Sequence, residues 1–131
     1  MNRDDLIKKA REAKEFAYSP YSNFKVGAAI LTENGEVFTG CNIENISYGA
    51  TNCAERTAIF KAISDGNKSF KEIAISSSIA PEKPAFPCGI CRQVLAEFNK
   101  DMLIHVDGDD KTYKLSELLP APFDKNQMSN F

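Results

Sequence analysis

No stretch of this 131-residue sequence is apolar for long enough to span a bilayer, and the N-terminal MNRDDLIKKAREAKEF is charged throughout with no apolar h-region. These absences argue against a membrane anchor and a secretion signal, so a soluble, cytoplasmic protein is expected. Runs of basic residues are also missing: sixteen Lys and Arg are scattered among eighteen Asp and Glu, for a net charge of -2. A nucleic-acid partner is therefore not expected, because phosphate binding needs a concentrated positive footprint. Internal repeats, low-complexity tracts and linkers are absent as well, and residues 1–131 are expected to form a single domain. The one histidine, His105, lies within the apolar run MLIHV and reads as a packed or edge residue without a catalytic role.

What is present is an ordinary globular balance, 43% hydrophobic and 26% charged, with enough apolar side chains to form a core. Leu6, Ile7, Ala10, Ala13, Phe16 and Ala17 recur every three or four residues and predict an amphipathic helix that ends before Ser19-Pro20. Phe24 to Leu31 and Val37 to Gly40 read as strands joined across Glu33-Asn34-Gly35, a hairpin turn signal. CAERTAIFKAI predicts a second helix opening at or next to Cys53, with Thr51 or Asn52 as N-cap. Ile73 to Ser78 reads as a third strand, and after a Pro-punctuated loop Cys88 to Phe98 reads as a third helix. Met102 to Val106 and Lys111 to Lys114 predict a hairpin around Asp107-Gly108-Asp109, and LSELLP a short terminal helix. The order predicts an α/β fold with three α/β/α layers, a mixed five-stranded sheet between helices.

Four cysteines carry the chemistry: Cys41, Cys53, Cys88 and Cys91. In a chain without a secretion signal they point to metal binding or catalysis more than to disulfides. Cys53 and the Cys88-Gly-Ile-Cys91 cluster both fall at predicted helix starts, where free N–H groups and the helix dipole favour thiolates. A CxxC turn can place two sulfurs on one tetrahedral ion, and Gly89 is expected to let that backbone fold without a Cβ clash. Three ligands without an evident fourth describe a catalytic zinc site with a position open to water. Glu55, two residues after Cys53, is placed to transfer protons beside the metal without binding it. Cys41 ends the second strand and reads as a small buried hydrophobe.

The pattern Cys-x-Glu followed by Pro-Cys-x-x-Cys is similar to the three-cysteine form of the zinc deaminase signature. Beyond it, YSPYSNFKVGAAI, GCNIENISYGATNCAERTA and PCGICRQVLAEF resemble the small homotetrameric cytidine deaminases, and the likeness runs over nearly the whole chain. The resemblance implies Zn²⁺ held by Cys53, Cys88 and Cys91. It also implies hydrolytic deamination of free cytidine and deoxycytidine to uridine and deoxyuridine, releasing ammonia in pyrimidine salvage, with Glu55 as catalytic proton carrier. It assigns Phe24, Asn42 and Glu44 to the nucleoside, the last two at the ribose, with Ala54 and Tyr48 in the same substrate set and the loop NISYG, which contains Tyr48, at subunit contacts. Phe123, in LLPAPF, is expected to stack near the base bound by an adjacent subunit of a homotetramer with shared active sites. Arg56 is expected to hydrogen-bond the sulfurs and offset the formal charge of about -1 that three thiolates leave on Zn²⁺. Gln93 is expected to add a polar contact behind the ligands. Two rivals remain at this point: a deaminase of another aminopyrimidine such as blasticidin, and a structural zinc module, which would have no use for Glu55.

Overall fold

The computed structural model describes residues 1–128, so the last three residues of the expected 1–131 unit lie outside the described residues. The elements are α1 (Arg3–Lys14), β1 (Val26–Thr32), β2 (Val37–Cys41), α2 (Ala54–Ser64), β3 (Phe70–Ser77), α3 (Gly89–Phe98), β4 (Leu103–Val106), β5 (Thr112–Lys114) and α4 (Leu115–Leu118). They form one five-stranded sheet in the order β2-β1-β3-β4-β5. Of the five strands, β3 and β4 pair in parallel, and α3 lies in the crossover that such a pair requires. The mixed α/β architecture expected from the sequence is the one found.

Strand alternation divides the core in two. Ala28, Ile30, Ile73, Ile75, Ile104 and Val106 face α2 and α3, together with Ala54, Ala58, Ile59 and Leu95. Ala29, Leu31 and Ala74 point to the opposite face and pack on Leu6, Ile7 and Ala10 of α1. The central strands are therefore apolar on both sides, which is why β1 reads VGAAILT with no polar alternation. His105 is buried as expected, between Thr112 Oγ1 at 3.0 Å and Glu72 Oε1 at 2.6 Å.

Several boundaries differ from expectation: β3 begins at Phe70, three residues before Ile73, β4 and β5 each begin one residue late, and two further differences bear on the site. α1 stops at Lys14, three residues early, and Phe16 is 82% exposed although it fits the apolar spacing. At that point Lys14 Nζ donates to Ser76 Oγ and the Ser77 carbonyl at the end of β3, both at 3.1 Å. β1 begins at Val26 instead of Phe24 because the Asn42 amide replaces the ladder at that point. Asn42 Nδ2 donates to the Phe24 carbonyl at 2.7 Å, and Val26 N–H donates to Asn42 Oδ1 at 2.9 Å. Phe24 is thereby released from the sheet.

Among the described residues no helix is long and apolar enough to cross a membrane.

Candidate active site

The site forms where β1 begins and β2 and β3 end, since Gly27 pairs with Cys41 and Val26 with Ser77. The α2 and α3 N-termini meet at this end. Cys53 is the N-cap of α2 and Cys88 the N-cap of α3, and neither side chain caps its helix. The expected Thr51 or Asn52 cap is thus displaced by one or two residues. Asn52 instead donates to Thr57 Oγ1 at 3.0 Å, and its backbone pairs with Ile43.

Cys91 follows on the first turn of α3, fully buried. The three sulfurs lie within 4.8 Å of one another, with Cys53 Sγ and Cys88 Sγ 3.8 Å apart. Tetrahedral bonds of about 2.3 Å set neighbouring sulfurs about 3.8 Å apart, so the donor set and its spacing fit Zn²⁺. Cys41 stays outside this group, half-buried at the end of β2, where burial pushes its thiol up. Gly89 does not play the expected role: a Cβ there would meet nothing within 4 Å.

The electrostatics favour the thiolate form of Cys53. A hydrogen bond from the Cys91 thiol pulls Cys53 down to about 5, with Arg56 and Cys88 assisting against the cost of burial. Cys91, donating to Cys53 and buried itself, is pushed well above the ordinary thiol range. Arg56 Nη2 donates to Cys53 Sγ at 3.3 Å, as expected for a charge-offsetting cation. Burial works to lower the Arg56 pKa, but hydrogen bonds to Cys53 and Cys91 outweigh it and raise it. Glu55 is 4% exposed, and burial, aided by the Cys53 charge, raises its carboxyl to about 7.

A cavity of about 210 Å³ brings Phe24, Asn42, Cys53, Ala54, Glu55 and Cys88 together, with Thr51, Ala85 and Phe86 among the other residues of its wall. Glu44 and Tyr48 are not in it. They line a neighbouring cavity of about 360 Å³ with Tyr21 and Asn45, and Thr51 borders both spaces. Glu44 is fixed by the N–H groups of Tyr21 and Ser22 at 2.9 and 3.1 Å and by the Ser22 hydroxyl, which hold its carboxyl below the usual range. Phe123 is 60% exposed and lines a different cavity, with Ala96, Lys100 and Asp124. Gln93 does not contact the ligands; its amide pairs with the Phe123 backbone, donating at 2.6 Å and accepting at 3.3 Å. Sequence reasoning missed Thr51, Ala85 and Phe86. The sole available signal was an aromatic two residues before the CxxC.

The model of the cytidine and deoxycytidylate deaminase zinc-binding region matches residues 1–106. The chain belongs to this family. Zinc is the metal of that region, and three sulfur donors at the observed spacing suit it. A cytidine deaminase of Sporosarcina psychrophila is 50% identical over 98% of this chain and 96% of its own length. Another, from Halalkalibacterium halodurans, is 48% identical over 99% of this chain and 100% of its own. The crystal structure of cytidine deaminase from Burkholderia pseudomallei superposes with a TM-score of 0.87 at 46% identity, over 94% of this chain and 100% of that one.

Proposed function

We propose that this zinc-dependent hydrolytic deaminase acts on free cytidine and deoxycytidine, with Cys53, Cys88 and Cys91 holding the metal and Glu55 carrying the protons. The observation that supports this reading most directly is one cavity lined by a buried carboxyl, two of the three clustered cysteines and an aromatic ring, Phe24. Zn²⁺ bound by the three sulfurs would supply Lewis acidity, which lowers the pKa of water from 15.7 toward about 7.

Glu55 accepts the proton of the attacking water and passes it to ring N3, which makes C4 electrophilic. The C4–O bond forms. Glu55 then carries a second proton to the exocyclic amine, the C4–N bond breaks, and ammonia leaves. Burial suits the carboxyl to both acts, because a group poised near 7 gives and takes protons with similar ease at neutral pH. Arg56, hydrogen-bonded to Cys53, offsets the negative charge of the sulfurs.

The 210 Å³ cavity is below the roughly 300 Å³ typical of sites for whole drug-sized ligands, so it has room for the base alone. The ribose then extends past Thr51 toward Glu44 and Tyr48. Asn42 fixes the start of β1 and hence Phe24 with one N–H and its oxygen, and the second N–H of its amide remains for the substrate. The exposed Phe123, with no place at its own chain's cavity, accords with a homotetramer in which it reaches a neighbour's base. Four free cysteines accord with the reducing cytoplasm, and scattered charge with a nucleoside in preference to a polynucleotide.

The test is loss of the cytidine absorbance band, run against cytosine, CMP and blasticidin, with light scattering for assembly. Glu55→Gln is expected to keep zinc and the fold while lowering turnover by at least about 10²-fold. A variant within tenfold of wild type, or wild type indifferent to cytidine, would overturn the reading.

A further inference from the structure

Two aromatic rings border the cavity of the sulfurs, and the mechanism above uses one of them. The other, Phe86, comes from the loop between β3 and α3, two residues before Cys88. We propose that Phe86, braced by Tyr113, is the wall that limits the size of substituents on the amino group of the base. This rests on the reading of the chain as a cytidine deaminase.

Pro87 alone separates Phe86 from Cys88, and both line the same space as Cys53 and Glu55, so the chain that carries the Phe86 ring is anchored at the metal end of the cavity. The bond that breaks, C4–N, must lie at that end, and the amine with it. Phe86 is 37% exposed, so part of the ring faces open space. Another part meets Tyr113 edge-on, with centroids 5.3 Å apart and planes at 79°.

Tyr113 is itself held on two sides. Its hydroxyl donates to Asp109 Oδ2 at 2.7 Å, and Lys111 Nζ lies 4.6 Å from its ring centroid. The β4–β5 hairpin touches the same loop at a second point: Gly108, at φ +102°, comes so close that a Cβ would sit 2.7 Å from the Pro81 carbonyl oxygen. With the hairpin against it at both places, the loop is held on the side away from the cavity, and a larger base would have to displace both contacts. Phe86 is thus a specificity-determining contact and Tyr113 a positioning residue; neither side chain takes part in proton transfer.

The test compares kcat/KM for cytidine and N4-methylcytidine in the zinc-loaded enzyme, with zinc content measured for every variant. Phe86→Ala is expected to raise the ratio of N4-methylcytidine to cytidine about tenfold or more, the usual discrimination attached to one methyl in an apolar pocket. Tyr113→Leu should move the ratio in the same direction. Tyr113→Phe, which keeps the edge contact but loses the bond to Asp109, should move it less than Tyr113→Leu does. The double variant Phe86→Ala/Tyr113→Leu should be no more permissive than Phe86→Ala alone, because Tyr113 acts through Phe86. Should Phe86→Ala fail to hold zinc, Phe86→Leu carries the same comparison with a smaller expected change.

An unchanged ratio in the Phe86 variant overturns the wall, and additive effects in the double variant overturn the bracing. Wild type that does not turn over cytidine at all would fault the parent reading instead.

Discussion

Gly40→Ala is a one-methyl change outside the cavity that should disable it. Gly40 sits near the end of β2 directly beneath α2, and a Cβ there would stand 2.5 Å from Ala58 N and 2.7 Å from the Ala54 carbonyl oxygen. Ordinary contact begins at 3.4 Å, so the helix backbone must withdraw by about 0.7–0.9 Å, the shortfall from that limit. Cys53 and Glu55 travel with α2, whereas Cys88 and Cys91 ride on α3 and stay behind. Metal–ligand distances tolerate only about ±0.2 Å, and a misplacement of about 1 Å at a reacting group can cost about 10²-fold in rate.

The expectation for Gly40→Ala is therefore a loss of about 1–3 kcal/mol of stability, faster zinc loss to a chelator, and kcat/KM lower by about 10²-fold. At about 4 °C per kcal/mol, the melting temperature falls by about 4–12 °C. Gly49→Ala, which has nothing within 4 Å of its new methyl, is the control. Wild-type zinc retention and turnover in Gly40→Ala would refute the argument, since α2 could then shift without the site registering it.

Cys53→Ala, Cys88→Ala and Cys91→Ala are each expected to lose zinc, whereas Cys41→Ala keeps it; metal analysis showing Cys41→Ala zinc-free would place a fourth sulfur at the site. Asp107 is buried and held below the usual carboxylate range by hydrogen bonds from Arg11, at 2.7 Å, and Ser76, at 2.8 Å. Because the folded pKa is the lower one, its stabilisation is complete above the unfolded value of about 3.9 and fades as pH falls through the folded value. Asp107→Asn should then cost about 1–3 kcal/mol in denaturant titrations at neutral pH, with the gap to wild type narrowing below about pH 4. A gap that stays constant down to pH 2 would show that the carboxylate charge is not what matters.

The fold was legible where local chemistry and packing agree. The Asn34-Gly35 turn needs a left-handed residue and has one, Gly35 at φ +92°. The cysteines announce the starts of α2 and α3 because helix N-termini are where thiolates are stabilised. Phe16 and Phe24 show the opposite case: spacing reports the face a residue would occupy if its element continued. It is silent on a side chain that interrupts the ladder from eighteen positions away, as Asn42 does to Phe24. The same holds for Gln93, which turns to the C-terminal segment, and for Phe86, whose place depends on the β4–β5 hairpin. Glu44 and Asn42 are two residues apart in sequence, yet they line separate cavities because the chain after β2 leaves the sheet.

Two helices here begin on cysteines whose side chains leave their own first turns uncapped. A Ser, Thr, Asp or Asn at either position would ordinarily contribute about 0.5–2 kcal/mol to the helix it starts. The metal site therefore exists at the expense of thermodynamic stability, as is common where active-site residues occupy positions that a stability-optimised sequence would fill otherwise. Substitutions that raise the melting temperature of the metal-free chain should concentrate at Cys53 and Cys88, the positions where function can least accept them.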